Sequence, residues 1–524
     1  MTNTQFQWRP LRLFAVLATI TAIIIVWYYN QQPAYLDSYY HYNGAARIAT
    51  GEGFNEPYLW TYIAAPEELP APSHLYWMPG TSIVTSLGMI IFGVGFRAAQ
   101  LGLLLCYLGT VFVAYWLGWR LGSTTRHAWL AGIITLFGGF FMRYWGQPDT
   151  FAPYAFFGSI ALVFIGLGRT SEKYPLRWWV VAGIFAAAGH LIRTDGLLLL
   201  LVGWSVIFFP TDLLHDSFGK RLKWFAVFTL AYVIAMSPWF IRNYNAIGTI
   251  LPTGGTQAIW YTSYDDVFSY PADANAETFF ADGWRTFFET RRFALLSNQG
   301  ILLSFIALEG IIILTPFMLI ALWVRWRDPF IRGMMIFALG VHLAFWLVFP
   351  FPGLRGGLFH AVAALIPWWA ALSLVGLDAL INRVSKYRKM WKPHIAKPIF
   401  SIGITVMVVG LSIFVANQGR ILFLFRDPQL YKDINSTFDD DTRLMINDTP
   451  QLYYYTGLGG VPIPNESPEV ALEIAELYEI DYLIFERGGI PAPMAFPHDN
   501  PPEFLIPRDD LNIHGVRVYE FVYD

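Results

Sequence analysis

Hydrophobic residues in this chain fall in long unbroken runs, separated by short polar segments in which arginine and lysine gather. The first run, Leu11 to Tyr29, has about 19 residues and would reach roughly 29 Å as a helix. Ten more runs lie at approximately 98–118, 127–142, 151–168, 178–192, 196–210, 224–240, 300–322, 333–350, 358–381 and 398–416. Each is long enough, or nearly so, to cross a hydrocarbon layer of about 30 Å, so the pattern predicts about eleven transmembrane helices. One further apolar stretch, Thr81 to Gly95, is shorter and is bounded by Pro79-Gly80 and Gly93-Val94-Gly95. Counting it as a span would export Arg120 and Arg126 and invert the lysine-rich loops that follow. It is therefore read as an interfacial or re-entrant helix inside a long first external loop, about residues 30–97. Loops of that length in compact proteins are usually functional.

Charge sets the expected orientation. Arg9 and Arg12 precede the first run and no small-residue cleavage site follows it, so it reads as an uncleaved helix with its N-terminus in the cytoplasm. The inner loops then hold Arg120 and Arg126; Arg169, Lys173 and Arg177; Lys220, Arg221 and Lys223; Arg325, Arg327 and Arg332. The last inner loop adds Arg383, Lys386, Arg388, Lys389, Lys392 and Lys397. Of the eight lysines, only Lys432 falls outside these loops, the asymmetry expected of a multi-pass protein in the plasma or inner membrane.

From Asn417 onward the pattern changes. Arg443 to Asn447, Asp481 to Phe485 and Val516 to Val522 are strand-like, and Ser467 to Tyr478 has helical periodicity. Strands alternating with a helix predict a small, partly parallel α/β domain. The expected division is a membrane domain, residues 1–416, and an external α/β domain, residues 417–524. No G-x-G-x-x-G phosphate loop occurs there, and Gly457-Leu458-Gly459-Gly460 reads as a turn. Sequons begin at Asn435, Asn447 and Asn465, with chance as their default explanation.

Composition agrees with this picture. Of 524 residues 55% are hydrophobic and only 14% charged, against roughly 25% in soluble domains. Aromatic residues reach 18%, with 21 Trp, as suits rings at headgroup level. The net charge of -3 is uninformative, and no basic run suggests nucleic acid as a partner. A single cysteine, Cys106, rules out an internal disulfide.

Ionisable groups at the outer ends of spans are costly to keep there, so they are candidates for chemistry. Asp37, in Tyr35-Leu-Asp-Ser-Tyr-Tyr-His41, can be a general base or metal ligand, or either it or Ser38 can cap the helix that follows. His41 and Arg47 follow it, His41 on the same helix face. Asp149, after Pro148 at the outer end of the third span, is a second candidate for chemistry, or a cap for the helix that follows, and Arg143 nearby can simply snorkel. Arg193, Arg242 and Arg355 also sit at outer span ends, on a face nearly free of lysine. A guanidinium matches phosphate oxygens bidentately, so a ring of them reads as a site for a lipid-linked phosphate, headgroup anchoring being the plainer alternative for each alone.

At this point the chain resembles the C-type glycosyltransferases (GT-C) that use polyprenyl-phosphate-linked sugars, such as protein O-mannosyltransferases, lipid A aminoarabinose transferases and oligosaccharyltransferase catalytic subunits. Five places carry the resemblance: Asp37 with its aromatic helix and Gly51-Glu-Gly-Phe54; His74-Leu-Tyr-Trp-Met-Pro79; Asp149; Arg193-Thr-Asp-Gly196; and Pro238-Trp-Phe-Ile-Arg-Asn243. The last is the most specific, and together they cover most of residues 1–380. Two features depart from the family. Ser38 stands where many members have a second acid, and the proline segment lacks a double proline and a lysine.

The resemblance implies single-displacement sugar transfer with inversion on the external face. Asp37, with Asp149, would be catalytic; Arg193, Arg242 and Arg355 would hold the donor phosphate; His41, His74 and Asn243 would contact substrate. It implies a polyprenyl-phosphate sugar donor, a lipid, glycan or protein acceptor, and surrounding membrane lipids. No cofactor is implied with certainty; a divalent metal ion is left open, because two aspartates alone make an incomplete oxygen site. Three rivals stand beside this reading, one of them a receptor-like protein in which the C-terminal domain does the binding. A lipid-linked sugar transporter would show internal repeats and ionisable groups at mid-depth, where only His342 lies. A polysaccharide polymerase or ligase would use external arginines on a lipid diphosphate.

Overall fold

The structure, a computed structural model, describes residues 8–64, 66–209, 216–308, 311–388, 390–424, 429–486, 490–498, 500–511, 513 and 515–523. Lys389, counted above among the inner charges, lies outside them, as do residues 210, 309 and 310 of two predicted runs. The helices are α1 (Trp8–Tyr29), α2 (Leu36–Thr50), α3 (Gly80–Phe92), α4 (Phe96–Gly122), α5 (Thr125–Phe137), α6 (Phe151–Thr170), α7 (Pro175–Ile192), α8 (Leu197–Phe208) and α9 (Phe218–Ile247). After a stretch with two short helices, α10 (Thr253–Gln257) and α11 (Ala276–Phe279), come α12 (Trp284–Leu308), α13 (Ile311–Arg325) and α14 (Arg332–Leu343). The turns α15 (Pro350–Pro352) and α16 (Leu358–Val362) lead to α17 (Ile366–Tyr387) and α18 (Pro393–Leu424). The C-terminal part adds α19 (Gln429–Thr437), α20 (Thr449–Thr456) and α21 (Pro468–Tyr478).

Among the described residues, seven helices are long and apolar enough to cross a membrane: α1, α4, α6, α7, α9, the stretch Arg355–Tyr387, and Pro393–Gln418 of α18. They coincide with seven of the eleven predicted runs. The other four runs fall on shorter helices, α5, α8, α13 and α14, the run 300–322 also taking in the end of α12. Large aliphatic side chains such as Leu13, Ile24, Leu230, Ile234 and Val406 are more than half exposed on the outside of the bundle. Water does not tolerate such a belt on a folded chain, whereas lipid does. The chain is a multi-pass membrane protein.

Helix α3 has 13 residues, about 20 Å at 1.5 Å per residue, too short to cross. Its packing explains why it is a helix at all. A Cβ on Gly88 would stand 1.9 Å from the Ala98 carbonyl oxygen, and one on Gly102 of α4 would stand 1.9 Å from that of Val84. The two backbones therefore touch through glycine, while Ile90, Ile91 and Phe92 remain exposed on the other face. That is an apolar helix lying against the bundle with one lipid-facing side, as the sequence predicts.

The C-terminal part carries strands β3 (Leu444–Met445), β4 (Gly460–Val461), β5 (Tyr482–Phe485), β6 (Leu505–Pro507) and β7 (Arg517–Phe521), in the order β4-β3-β5-β7-β6; a two-stranded hairpin, β1 (Asn55–Glu56) with β2 (Ala71–Pro72), lies in the first external loop. β3 pairs in parallel with both β4 and β5, and β7 runs antiparallel to β5 and β6. The partly parallel α/β expectation holds, with β4, β6, α19 and α20 as additions. Leu59, Tyr62 and Ala71 of the first loop are buried in one core with Met445, Val461, Tyr478 and Phe485. Asn43 Nδ2 donates to the Pro450 carbonyl (2.8 Å), and Leu59 N donates to that of Gly460 (2.8 Å). The long loop between α1 and α4 and the C-terminal sheet thus fold as one packed layer on the helices.

Candidate functional site

Where α1 gives way to the first loop, a polar strut fixes the start of α2. Ser38 Oγ donates to Gln147 Oε1 (2.7 Å), and Gln147 Nε2 donates to Asn30 Oδ1 (2.7 Å). Ser38, which stands where the resembled family has an acid, is fully buried and structural here. Helix α2 starts at Leu36 with Tyr35 in the capping position and no side-chain cap. Neither Asp37 nor Ser38 caps it, which corrects the capping alternative. Asp37 sits instead in the first turn, where the helix N-terminus favours a negative charge.

Asp149 is completely buried beside it. Tyr35 Oη donates to its Oδ2 (2.6 Å), and the Thr150 amide donates to its Oδ1. This satisfies one amide at the start of α6, whose capping residue is Thr150 rather than Asp149. The third member of the cluster is His360, which sequence reasoning did not single out. Its Nδ1 lies 3.3 Å from Asp149 Oδ1 and 2.6 Å from Thr150 Oγ1, and its ring stacks on Phe151 at 3.9 Å between centroids. Ligand-type atoms of Asp37, Asp149 and His360 all lie within 4.8 Å of one another. Two carboxylates and an imidazole at this spacing are a donor set that suits a divalent transition ion.

The two acids do not share their charge equally. Burial, and then the negative charge of Asp149, pushes the Asp37 carboxyl up to about 7. Burial opposes the charge on Asp149 as well, but His360 and the Tyr35 hydroxyl overcome it and hold Asp149 below the ordinary carboxylate range. The pair therefore holds one firm negative charge, on Asp149, and one carboxyl, Asp37, that gains and loses its proton readily near neutral pH.

A cavity of about 140 Å³ opens onto Asp37 and His360. Arg193, Asp195 and Arg355 line it, with Tyr76, Trp77 and Tyr264 among its aromatic walls. Arg193 is firmly engaged: its Nε and Nη2 donate to Asp195 (2.9 and 2.6 Å), Nη1 to Thr150 Oγ1 (3.3 Å) and Nη2 to the Gly357 carbonyl (3.0 Å). Burial works against its charge, but Asp195 more than compensates and keeps it protonated. Arg355 differs. Its side chain is 57% exposed, lies over the Tyr264 ring at 4.1 Å and has only a 3.6 Å pairing with Asp265. The left-handed turn at Gly356 (φ 121°), which a side chain would strain, lets the chain present Arg355 and His360 to the same space.

The remaining predicted residues lie elsewhere. Arg242 stacks on Trp239 (4.8 Å) and donates to the Phe54 carbonyl (2.7 Å) and to Asn243 Oδ1 (3.1 Å), pinning the first loop to α9. His41 and His74 converge on one hydroxyl, Ser82 Oγ, at 3.1 and 2.9 Å. Both rings are buried; burial lowers His41 to about 4 and His74 well below its ordinary range. None of these four lines the cavity. The signal that could have found His360 is the glycine-rich break Gly353-Leu-Arg-Gly-Gly357, which precedes it inside an apolar stretch.

No family model and no curated protein matches the chain by sequence. Solved structures do match in fold. The oligosaccharyltransferase of Archaeoglobus fulgidus aligns with a TM-score of 0.61 at 13% identity, over 93% of this chain and 70% of that one. ArnT from Cupriavidus metallidurans bound to undecaprenyl phosphate aligns with a TM-score of 0.59 at 12% identity, over 98% of both chains. The archaeal enzyme in complex with an inhibitory peptide and a dolichol-phosphate aligns at 0.52. The chain has the fold of these GT-C membrane enzymes.

Proposed function

We propose that this chain is a membrane glycosyltransferase that moves a sugar from a polyprenyl-phosphate carrier to an acceptor hydroxyl at the outer face, with inversion at the anomeric carbon. The observation that carries the reading is the cavity itself: a half-buried carboxyl, Asp37, opening onto the same space as an exposed guanidinium, Arg355, at the rim of a membrane helix bundle. Two of the structures of similar fold hold a polyprenyl phosphate, ArnT undecaprenyl phosphate and the archaeal enzyme a dolichol-phosphate. Asp37 Oδ takes the acceptor proton as the acceptor oxygen bonds to the anomeric carbon, the bond from that carbon to the phosphate oxygen breaks, and the polyprenyl phosphate leaves with the electron pair. Arg355 pairs with the phosphate as its charge grows, a contact stronger in the transition state than before it. Arg193 keeps Thr150, and through it the Asp149–His360 pair, in place. A divalent ion, where bound, would be held by Asp37, Asp149 and His360 and would add positive charge toward the phosphate.

The membrane unit is residues 1–416 and the external unit residues 417–524, completed by the first loop that packs into its core, with the N-terminus on the cytoplasmic side. Donor binding tests the reading directly. A short-chain polyprenyl phosphate should bind the purified protein and lose most of its affinity in Arg355→Glu, where a carboxylate faces the phosphate. Equal binding by parent and variant would remove Arg355 from the site and leave the cavity without its phosphate partner.

A further inference from the structure

At the opposite end of the bundle from the cavity, α13 and α17 border a groove of about 610 Å³. Its size falls within the range of about 300–1,000 Å³ typical of ligand sites. Its walls are apolar, built from Leu319, Ile320 and Trp323 on α13 and Leu380 on α17. Its rim is basic: Arg383 and Lys386, three residues apart on α17, face into it. No acidic residue lines it. Among the described residues neither cation has an acidic partner, and both are exposed. The acid nearest in sequence, Asp378, is taken by Arg126, His127 and Lys397 on other helices. Trp323 is 82% exposed and Leu319 56%. The loops at this end hold the arginines and lysines at 325–332 and 383–397.

An apolar trough ending in two unpaired cations is complementary to one kind of molecule, an acyl chain that ends in an anion. We propose that this groove binds a single anionic phospholipid, its phosphate on Arg383 and Lys386 and the first part of its acyl chains along Leu319, Ile320 and Trp323. The α13 wall extends from Leu319 to Val324, about 9 Å at 1.5 Å per residue, enough for a headgroup and the chain carbons next to it. A zwitterionic lipid fits the trough equally well but brings a cation to a cationic rim. A free phosphate meets the rim but leaves the trough uncovered. The site is distinct in place and ligand from the transfer cavity, and it stands whether or not the sugar-transfer reading does.

Native mass spectrometry of the full chain, released from detergent with equal amounts of dioleoyl-phosphatidylglycerol and dioleoyl-phosphatidylcholine, tests this. The parent should retain one phosphatidylglycerol in preference to phosphatidylcholine. At about 1 kcal/mol per basic side chain, the pair gives a preference of roughly 30-fold. The double variant Arg383→Gln/Lys386→Gln should bring the two lipids close to parity. Arg388→Gln/Lys392→Gln removes the same charge from the same loop outside the groove and should keep the preference. Leu380→Trp fills the trough with both cations intact and should also reduce retention. An unselective parent would overturn the proposal, as would equal losses in the two charge variants, which would mean diffuse attraction.

Discussion

Arg193 and Arg355 face the same cavity, but they are not equally able to meet a phosphate. Arg193 is bound on every side, so Arg193→Lys should act first on the fold. The loss of its fork leaves Asp195, nearly buried, poorly matched, at a cost on the order of 1–3 kcal/mol in thermal unfolding. Arg355→Lys keeps the charge at an exposed position and should leave stability unchanged while raising the donor KM several-fold. A stability loss at Arg355 and none at Arg193 would reverse the assignment. Glu56 supplies a pH test away from the cavity. Burial pushes it up to about 8, against the opposing effects of the Tyr40 hydroxyl, Arg242 and Arg47. The folded chain thus keeps the Glu56 proton between about pH 4.5 and 8 while the unfolded chain releases it. This group therefore makes stability fall as pH rises through that window and level off above it. Glu56→Gln has no proton to lose, so the difference in melting temperature between variant and parent should grow in the variant's favour from pH 5 to 8. A constant difference would mean that Glu56 is ionised throughout. Asp37 and Asp149 were legible in the sequence because an acid at a span end demands a reason. His360 was not, because an apolar stretch conceals one histidine, and only the backbone turn at Gly356 brings it to Asp149.

Helix α3 depends on two backbones meeting where side chains are missing. Gly88→Leu places a branched side chain where the Ala98 carbonyl oxygen lies, and forcing α3 away from α4 should cost about 1–3 kcal/mol or more. Gly95→Ala, at a position with open space for a Cβ, should change the melting temperature little. Equal effects of the two would show that α3 is not held by this contact. Its apolar face and its short length were both legible, since Pro79-Gly80 and Gly93 bound it in the sequence. The C-terminal sheet was legible where its strands are longest, at Tyr482–Phe485 and Arg517–Phe521. It was not legible at Gly460-Val461, where a glycine-rich turn signal conceals a strand. Gly457 does end α20, but Gly460 lies flush against Leu444, and that close approach leaves no mark in β-propensity.

On the scale of the whole molecule, the lysine distribution and the positions of the apolar runs together make a topological claim. A cysteine introduced at Ser436 should react with a membrane-impermeant thiol reagent in intact cells, and one at Ser385 should not. Labelling of Ser385 alone would turn the molecule over, with the cavity on the inner side. The sequence could not reveal how the first loop and the C-terminal sheet share a core, because Leu59 and Tyr478 are joined by folding and not by any local pattern. That shared layer roofs the membrane bundle near the start of α2, where Asp37 lies. The central claim is that Asp37 removes the proton from the acceptor, and one substitution tests it. Asp37→Asn keeps the shape of the side chain in a turn it does not cap, so expression and melting temperature should match the parent. Membranes carrying the variant, given a labelled polyprenyl-phosphate sugar, should release polyprenyl phosphate and label acceptor at least about 100-fold more slowly than parental membranes. A folded asparagine variant that transfers sugar at nearly the parental rate would contradict the account.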